Sequence, residues 1–153
     1  MNDTKKSITV SITACFIFLI ILTICVFFGP FFAKLWFSVY RGWSQSIIND
    51  MITLFSVCFY PSSIFAYITL YSLLKLLFNI KKDEIFITAN VKYLRIISWC
   101  CFVVFFITFI GGIFYIPFIF ISVAAVFMGL MLHVVKNVME NAVEIKNENE
   151  LTI

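Results

Sequence analysis

The sequence predicts an all-α integral membrane protein: a four-helix bundle with both termini inside, an outer interfacial helix and a cytoplasmic C-terminal helical extension. Three observations carry that expectation. Hydrophobic residues make up 63% of the 153 and charged residues 12%, against roughly 45–50% and 25% in an ordinary soluble domain. A single domain folded in water would leave large apolar patches exposed. Four runs reach the roughly 20 apolar residues that a helix rising about 1.5 Å per residue needs to cross a core of about 30 Å. The basic residues, finally, cluster in alternate connections. This pattern excludes a soluble enzyme, a nucleic-acid-binding domain and a disulfide-stapled secreted module.

The first run, about Ile8 to Phe32, follows Lys5 and Lys6. It is longer than a signal peptide's apolar stretch of about 7–15 residues and has no small-x-small site after it, so it reads as an uncleaved helix. Pro30 falls near its expected outer end, where a lost backbone hydrogen bond costs least. In the outer connection, Ala33 to Asp50, the residues Leu35, Trp36, Val39, Tyr40 and Trp43 share one face, opposite Lys34, Ser38, Arg41 and Gln45. That spacing predicts a short amphipathic helix in the outer interface, anchored by Trp36, Tyr40 and Trp43.

The second run, about Met51 to Phe78, opens after Asp50, a favoured N-cap residue. Pro61 in its middle denies a hydrogen bond to the carbonyl of Val57, which predicts a kink or a hinge. Ser62 and Ser63 can re-satisfy freed backbone groups there. The third and fourth runs, about Leu94 to Phe114 and Pro117 to Val135, are so closely joined that they must be antiparallel neighbours. Gly111 and Gly112 loosen the end of the third, Pro117 suits the first turn of the fourth, and Tyr115 can anchor the tip at the interface. After Val135 the apolar positions Val138, Met139, Ala142, Val143 and Ile145 alternate with polar ones, which extends the fourth helix into the tail, 136–153. Glu140, Glu144, Glu148 and Glu150 make that tail acidic and argue against its lying on anionic lipid.

Orientation follows from the basic residues. Lys5, Lys6, Lys75, Lys81, Lys82, Lys92, Arg95, Lys136 and Lys146 lie at the termini and around the loop 79–93, and only Lys34 and Arg41 lie on the other side. This asymmetry places both termini and that loop in the cytoplasm.

Chemistry is sparse. The five cysteines lie inside apolar runs without metal-ligand spacing and read as small hydrophobes. Lys75 and His133 fall near inner helix ends, with no carboxylate at membrane depth to pair with either, and read as interface markers. No nucleophile with a base, phosphate loop or metal set can be assembled, so no catalytic, cofactor or metal residue and no enzyme activity is expected. The inner loop is the better candidate. Thr88 is a predicted N-cap of the third helix. Asn90 is either helix-start chemistry or, with Phe86, Lys92 and Arg95, part of a docking surface completed by Glu144, Glu148, Glu150, Leu151 and Ile153. The terminal Leu151 and Ile153 either enter a partner's groove or fold back against Phe86 and Leu94.

Several runs carry a resemblance: Tyr60-Pro61; Leu70-Tyr71 through Lys75-Leu76-Leu77 and Ile80-Lys81-Lys82; Phe86 with Asn90-Val91-Lys92-Tyr93-Leu94-Arg95. The strongest is the end, Asn141 to Glu150 followed by Leu151-Thr152-Ile153. From Tyr60 onward the chain resembles the small bacterial membrane proteins grouped as domain of unknown function 2975. The resemblance implies a four-helix protein of the bacterial cytoplasmic membrane, in a group often encoded beside a small helix-turn-helix regulator of the Xre type. It thereby suggests such a regulator as partner, beside the lipid bilayer itself, with self-association open and no direct contact with nucleic acid. Some relatives carry an acidic loop between the last two helices, where this chain has only Phe114-Tyr115-Ile116-Pro117, so no role of that loop carries over. Three function classes follow: a membrane sensor or tether for the regulator, a small transporter or resistance factor, and an immunity or scaffold protein.

Overall fold

Helices end where backbone hydrogen bonding stops, and here that lies well beyond the apolar runs. The computed structural model describes residues 2–39 and 44–151, with side chains for 6–39 and 44–149. It contains α1 (Asn2–Ser38), α2 (Gln45–Lys81), α3 (Thr88–Phe114) and α4 (Pro117–Leu151). All four are long and apolar enough to cross a bilayer, which makes the chain a multi-pass membrane protein. The 37 residues each of α1 and α2 span about 55 Å, against a hydrocarbon core of about 30 Å. The helix ends therefore protrude. Phe27 and Phe120, 80% and 74% exposed on the protein surface, are side chains for lipid rather than water.

The helix boundaries correct four expectations. Among the described residues the outer stretch forms no separate interfacial helix: 33–38 complete α1 and 45–50 open α2. The backbone runs on without a break at Ala33. Trp36 is exposed on α1, whereas Tyr40 and Trp43 lie outside the described residues. Pro30 consequently sits inside α1 rather than near its end. The cap of α2 is Ser44, not Asp50: Ser44 has extended backbone and its Oγ accepts from the Ile47 N–H at 3.5 Å. Likewise α3 is preceded by Ile87 as its N-cap, without a side-chain bond, and Thr88 is already helical. Pro61 lies within an unbroken α2, where the Ser62 and Ser63 hydroxyls donate to the carbonyls of Cys58 and Phe59 at 2.7 and 2.8 Å. These bonds go to the two carbonyls that follow that of Val57, the one Pro61 leaves without its helical partner.

The helices pack in chain order, α1 on α2, α2 on α3 and α3 on α4, and among the described residues no other pair approaches closely along its length. The bundle is thus an open row, with a seam between α1 and α4. Its tightest joint is the α3–α4 hairpin, where a β-carbon on Gly112 would stand 2.6 Å from Ile119 Cγ1 and one on Gly129 3.3 Å from Cys101 Cβ. Small residues of this kind let backbones approach where no hydrophobic drive favours helix over lipid. The Ser98 hydroxyl, fully buried, donates to the Gly129 carbonyl at 2.9 Å across the same joint. Thr23 and Tyr67 share a 2.9 Å hydrogen bond between α1 and α2. Two apolar clusters hold α1: Ile12 and Cys15 with Leu74 at one end, and Ala33 and Phe37 with Ile48 and Tyr115 at the other.

Candidate functional site

The helix directions bring the start of α1, the α2–α3 loop and the end of α4 to one end of the molecule, here the polar end. The opposite end, with Trp36 and Tyr115, is aromatic. At the polar end α2 terminates in a Schellman motif: Asp83 takes a left-handed conformation (φ 64°), its N–H donates to the Ile80 carbonyl and the Glu84 N–H to the Asn79 carbonyl, both at 3.0 Å. Asp tolerates that region better than most side chains. The turn carries the Glu84 and Ile85 carbonyls toward α3, and Asn90 Nδ2 donates to both at 2.8 Å. Asn90 Oδ1 in turn accepts from Asn79 Nδ2 at 2.8 Å.

Asn90 is 0% exposed, so it faces the loop rather than an open vestibule. Its short side chain offers donors and an acceptor together, and it serves as a latch between α2 and α3. Asn79, its partner, escaped the sequence reading. An amide at each edge of one short loop was the available signal.

Arg95 is also engaged within the chain. Its guanidinium meets Glu140 Oε1 at 2.9 Å, while Lys136 Nζ meets Glu140 Oε2 at 2.7 Å. Lys136 is 8% exposed and runs its aliphatic stem along the helix joint before reaching the carboxylate. The Lys136 ammonium donating to it, reinforced by the charges of Lys136 and Arg95, holds the Glu140 carboxyl below the usual carboxylate range. Glu140 thus joins the α3–α4 clamp, while its side chain, 45% exposed, also lines a shallow groove on α4. The sign of the pH effect follows. Folding favours the charged form, so the clamp's contribution is complete above the ordinary carboxylate value of about 4.3 and is lost as pH falls through the lower folded value. A Glu140→Gln variant should flatten the acid limb of the unfolding temperature measured in micelles. An unchanged acid limb would show that other carboxylates govern it.

The remaining docking candidates divide. Phe86, in the loop, is 47% exposed, and Lys92 is exposed on α3. Glu144 and Glu148 are exposed on α4, where with Asn141, Asn147 and the buried Val143 they line a shallow groove. The side chains of Glu150 and Leu151, and Ile153 altogether, lie outside the described residues. Opposed pairs along the hairpin, Gly112 with Ile119 and Cys101 with Gly129, put Thr88 level with about residue 142 of α4. The last nine residues of α4 therefore project about 13 Å past α3. Lys75 is exposed, with its ammonium 5.6 Å from the Tyr71 ring centre, and His133 is exposed on α4.

A feature unforeseen in the sequence lies at the aromatic end. In the seam beside α2 is a cavity of about 610 Å³, walled by α1 from Cys25 to Phe37 with Val39 just beyond it, by Phe55 and Phe59 of α2, by Tyr115 of the α3–α4 turn and by Phe118 of α4. Tyr115, expected at the interface, is half-buried, with its ring centre 5.5 Å from that of Phe37 and 5.8 Å from that of Phe118. No run of residues announces this cavity, because its walls come from α1, α2, α4 and the turn before α4.

Among curated proteins and among solved structures, nothing matches this chain. A family match does exist, and it reaches well before Tyr60, taking in the whole of α1 and the start of α2 as well as the polar runs near the end. Covering residues 2–153, it places the chain in the family described as "Protein of unknown function (DUF2975)".

Proposed function

We propose that this is a binding protein of the bacterial cytoplasmic membrane, not an enzyme, which holds a soluble helix-turn-helix regulator of the Xre type at the inner face. The observation that carries the reading is the projecting end of α4, with Glu144 and Glu148 exposed on it. An acidic rod held clear of the bilayer is complementary to the basic face with which such a regulator meets DNA, and it would compete for that face. The gene pairing implied by the family resemblance supports the same partner. Asn90 and Arg95 act in this reading as the fixtures that orient the rod, with Phe86 and Lys92 as the nearest exposed neighbours.

The orientation is tested first. In a cysteine-free background, single cysteines at Ser44 and Asn147 should differ toward an impermeant thiol reagent added to intact cells, with only Ser44 labelled. Labelling at Asn147 would put the acidic rod outside and end the tether reading. The partner is tested by co-expression with the neighbouring regulator and membrane fractionation. Deleting 147–153, or combining Glu144→Lys with Glu148→Lys, should move the regulator from membrane to cytosol while the bundle stays inserted. A regulator that never sediments with the intact protein would leave the scaffold or immunity reading.

A further inference from the structure

We infer that the cavity at the aromatic end is a binding site for a single acyl chain of a membrane phospholipid. The site stands apart from the polar end and does not depend on the tether reading.

Shape comes first. The wall formed by α1 and Val39 runs from Cys25 to Val39, fifteen residues whose ends lie about 21 Å apart along the helix axis. Half of a hydrocarbon core of about 30 Å plus part of the headgroup layer has that depth. Spread over that length, about 610 Å³ makes an elongated groove rather than a rounded pocket. An extended hydrocarbon chain fits it along its length.

Chemistry points the same way. Among the described residues no charged side chain lines the cavity, and the polar groups on its walls are the Cys25 thiol, the Trp36 indole and the Tyr115 phenol. The two aromatic ones belong to the outer half, where amphipathic rings meet headgroups. A cavity so largely apolar is a poor site for water. Its floor is built rather than left over. Phe55 and Phe59 stack at 5.3 Å and 14°, and the absent β-carbon of Gly29 lets the edge of Phe59 come within 2.9 Å of where it would stand. Because α1 and α4 do not pack on each other, the seam gives a lipid tail a lateral way in.

The test uses the full-length protein in vesicles of phosphatidylethanolamine and phosphatidylglycerol containing a trace of phospholipid with a photoreactive group on its acyl chain. After irradiation, labelling should appear on Phe59 and Phe118 at least as strongly as on Phe16 and Phe127, which lie more exposed elsewhere. Cys25→Phe and Ile121→Phe fill the channel from exposed wall positions. They should abolish most labelling of Phe59 and Phe118 while leaving Phe16 and Phe127 unchanged, which also reports that the variants are inserted and folded. Ile121→Ala widens the channel and should keep or raise the labelling. Phe59 and Phe118 labelled only in proportion to their small exposure, or indifferent to both filling variants, would overturn the assignment. So would protein-to-protein cross-links through the channel, which would make a second copy its occupant.

Discussion

Replacing Asn90 by Leu should lower the stability of the protein in micelles by about 2–3 kcal/mol, the net worth of three hydrogen bonds at about 1 kcal/mol each. Three partners lose their bond at once: the Glu84 and Ile85 carbonyls and the Asn79 amide. Leu has similar bulk, so the loss reports hydrogen bonding rather than a cavity. Asn90→Asp should be no better, since it puts a second acceptor opposite two carbonyls. Lys92→Ala, two residues away but exposed, should stay within about 0.5 kcal/mol. Asn79→Leu combined with Asn90→Leu should cost less than the sum of the two, as expected for residues sharing one network. Equal unfolding midpoints for Asn90→Leu and Lys92→Ala would show that the latch contributes nothing beyond surface chemistry.

Gly112→Leu is expected to be comparably damaging, at about 1–3 kcal/mol or more, because overpacking a tight joint forces side chains and backbone to shift. The first atom a β-carbon would meet, Ile119 Cγ1 at 2.6 Å, can rotate away. Behind it stand the Ile119 backbone nitrogen at 3.2 Å and Cα at 3.5 Å, which move only if α4 moves. The α3–α4 hairpin must therefore open where its two-residue turn is tightest. Gly29→Ala makes the contrast, since every near atom there belongs to the ring of Phe59 and the ring can swing. Ile113→Leu, on the exposed face beside Gly112, should be silent. If thermal unfolding in micelles ranks Gly29→Ala as the more harmful, the hairpin is not the rigid joint described here.

What was legible in the sequence differs from end to end. Pro117 stands at the first position of α4, and the two residues Tyr115 and Ile116 make the whole turn before it, as fixed φ and a missing N–H dictate. The tail continues α4 because its apolar residues keep helical spacing. Cap positions were less legible. Asp50 and Thr88 have the right chemistry, but Ser44 and Ile87 hold the positions, because hydropathy marks the edge of lipid while hydrogen bonding sets the end of a helix.

By itself the sequence determined four apolar helices, the antiparallel hairpin at Pro117 and the acidic continuation of α4. Each rests on properties local in the chain: run length, a proline, a period. Only the tertiary structure decided that the helices form an open row, that Asn90 is a buried latch, that Glu140 is shared by Arg95 and Lys136, and that a cavity lies between α1 and the α3–α4 turn. The reason is the solvent. In water, an apolar stripe tells which face of a helix is buried. In a bilayer, lipid and neighbouring helix are equally apolar, so every face of α1 or α3 reads alike. Which faces meet is then settled by close packing at glycines and by a few polar pairs, whose partners stand far apart in the chain.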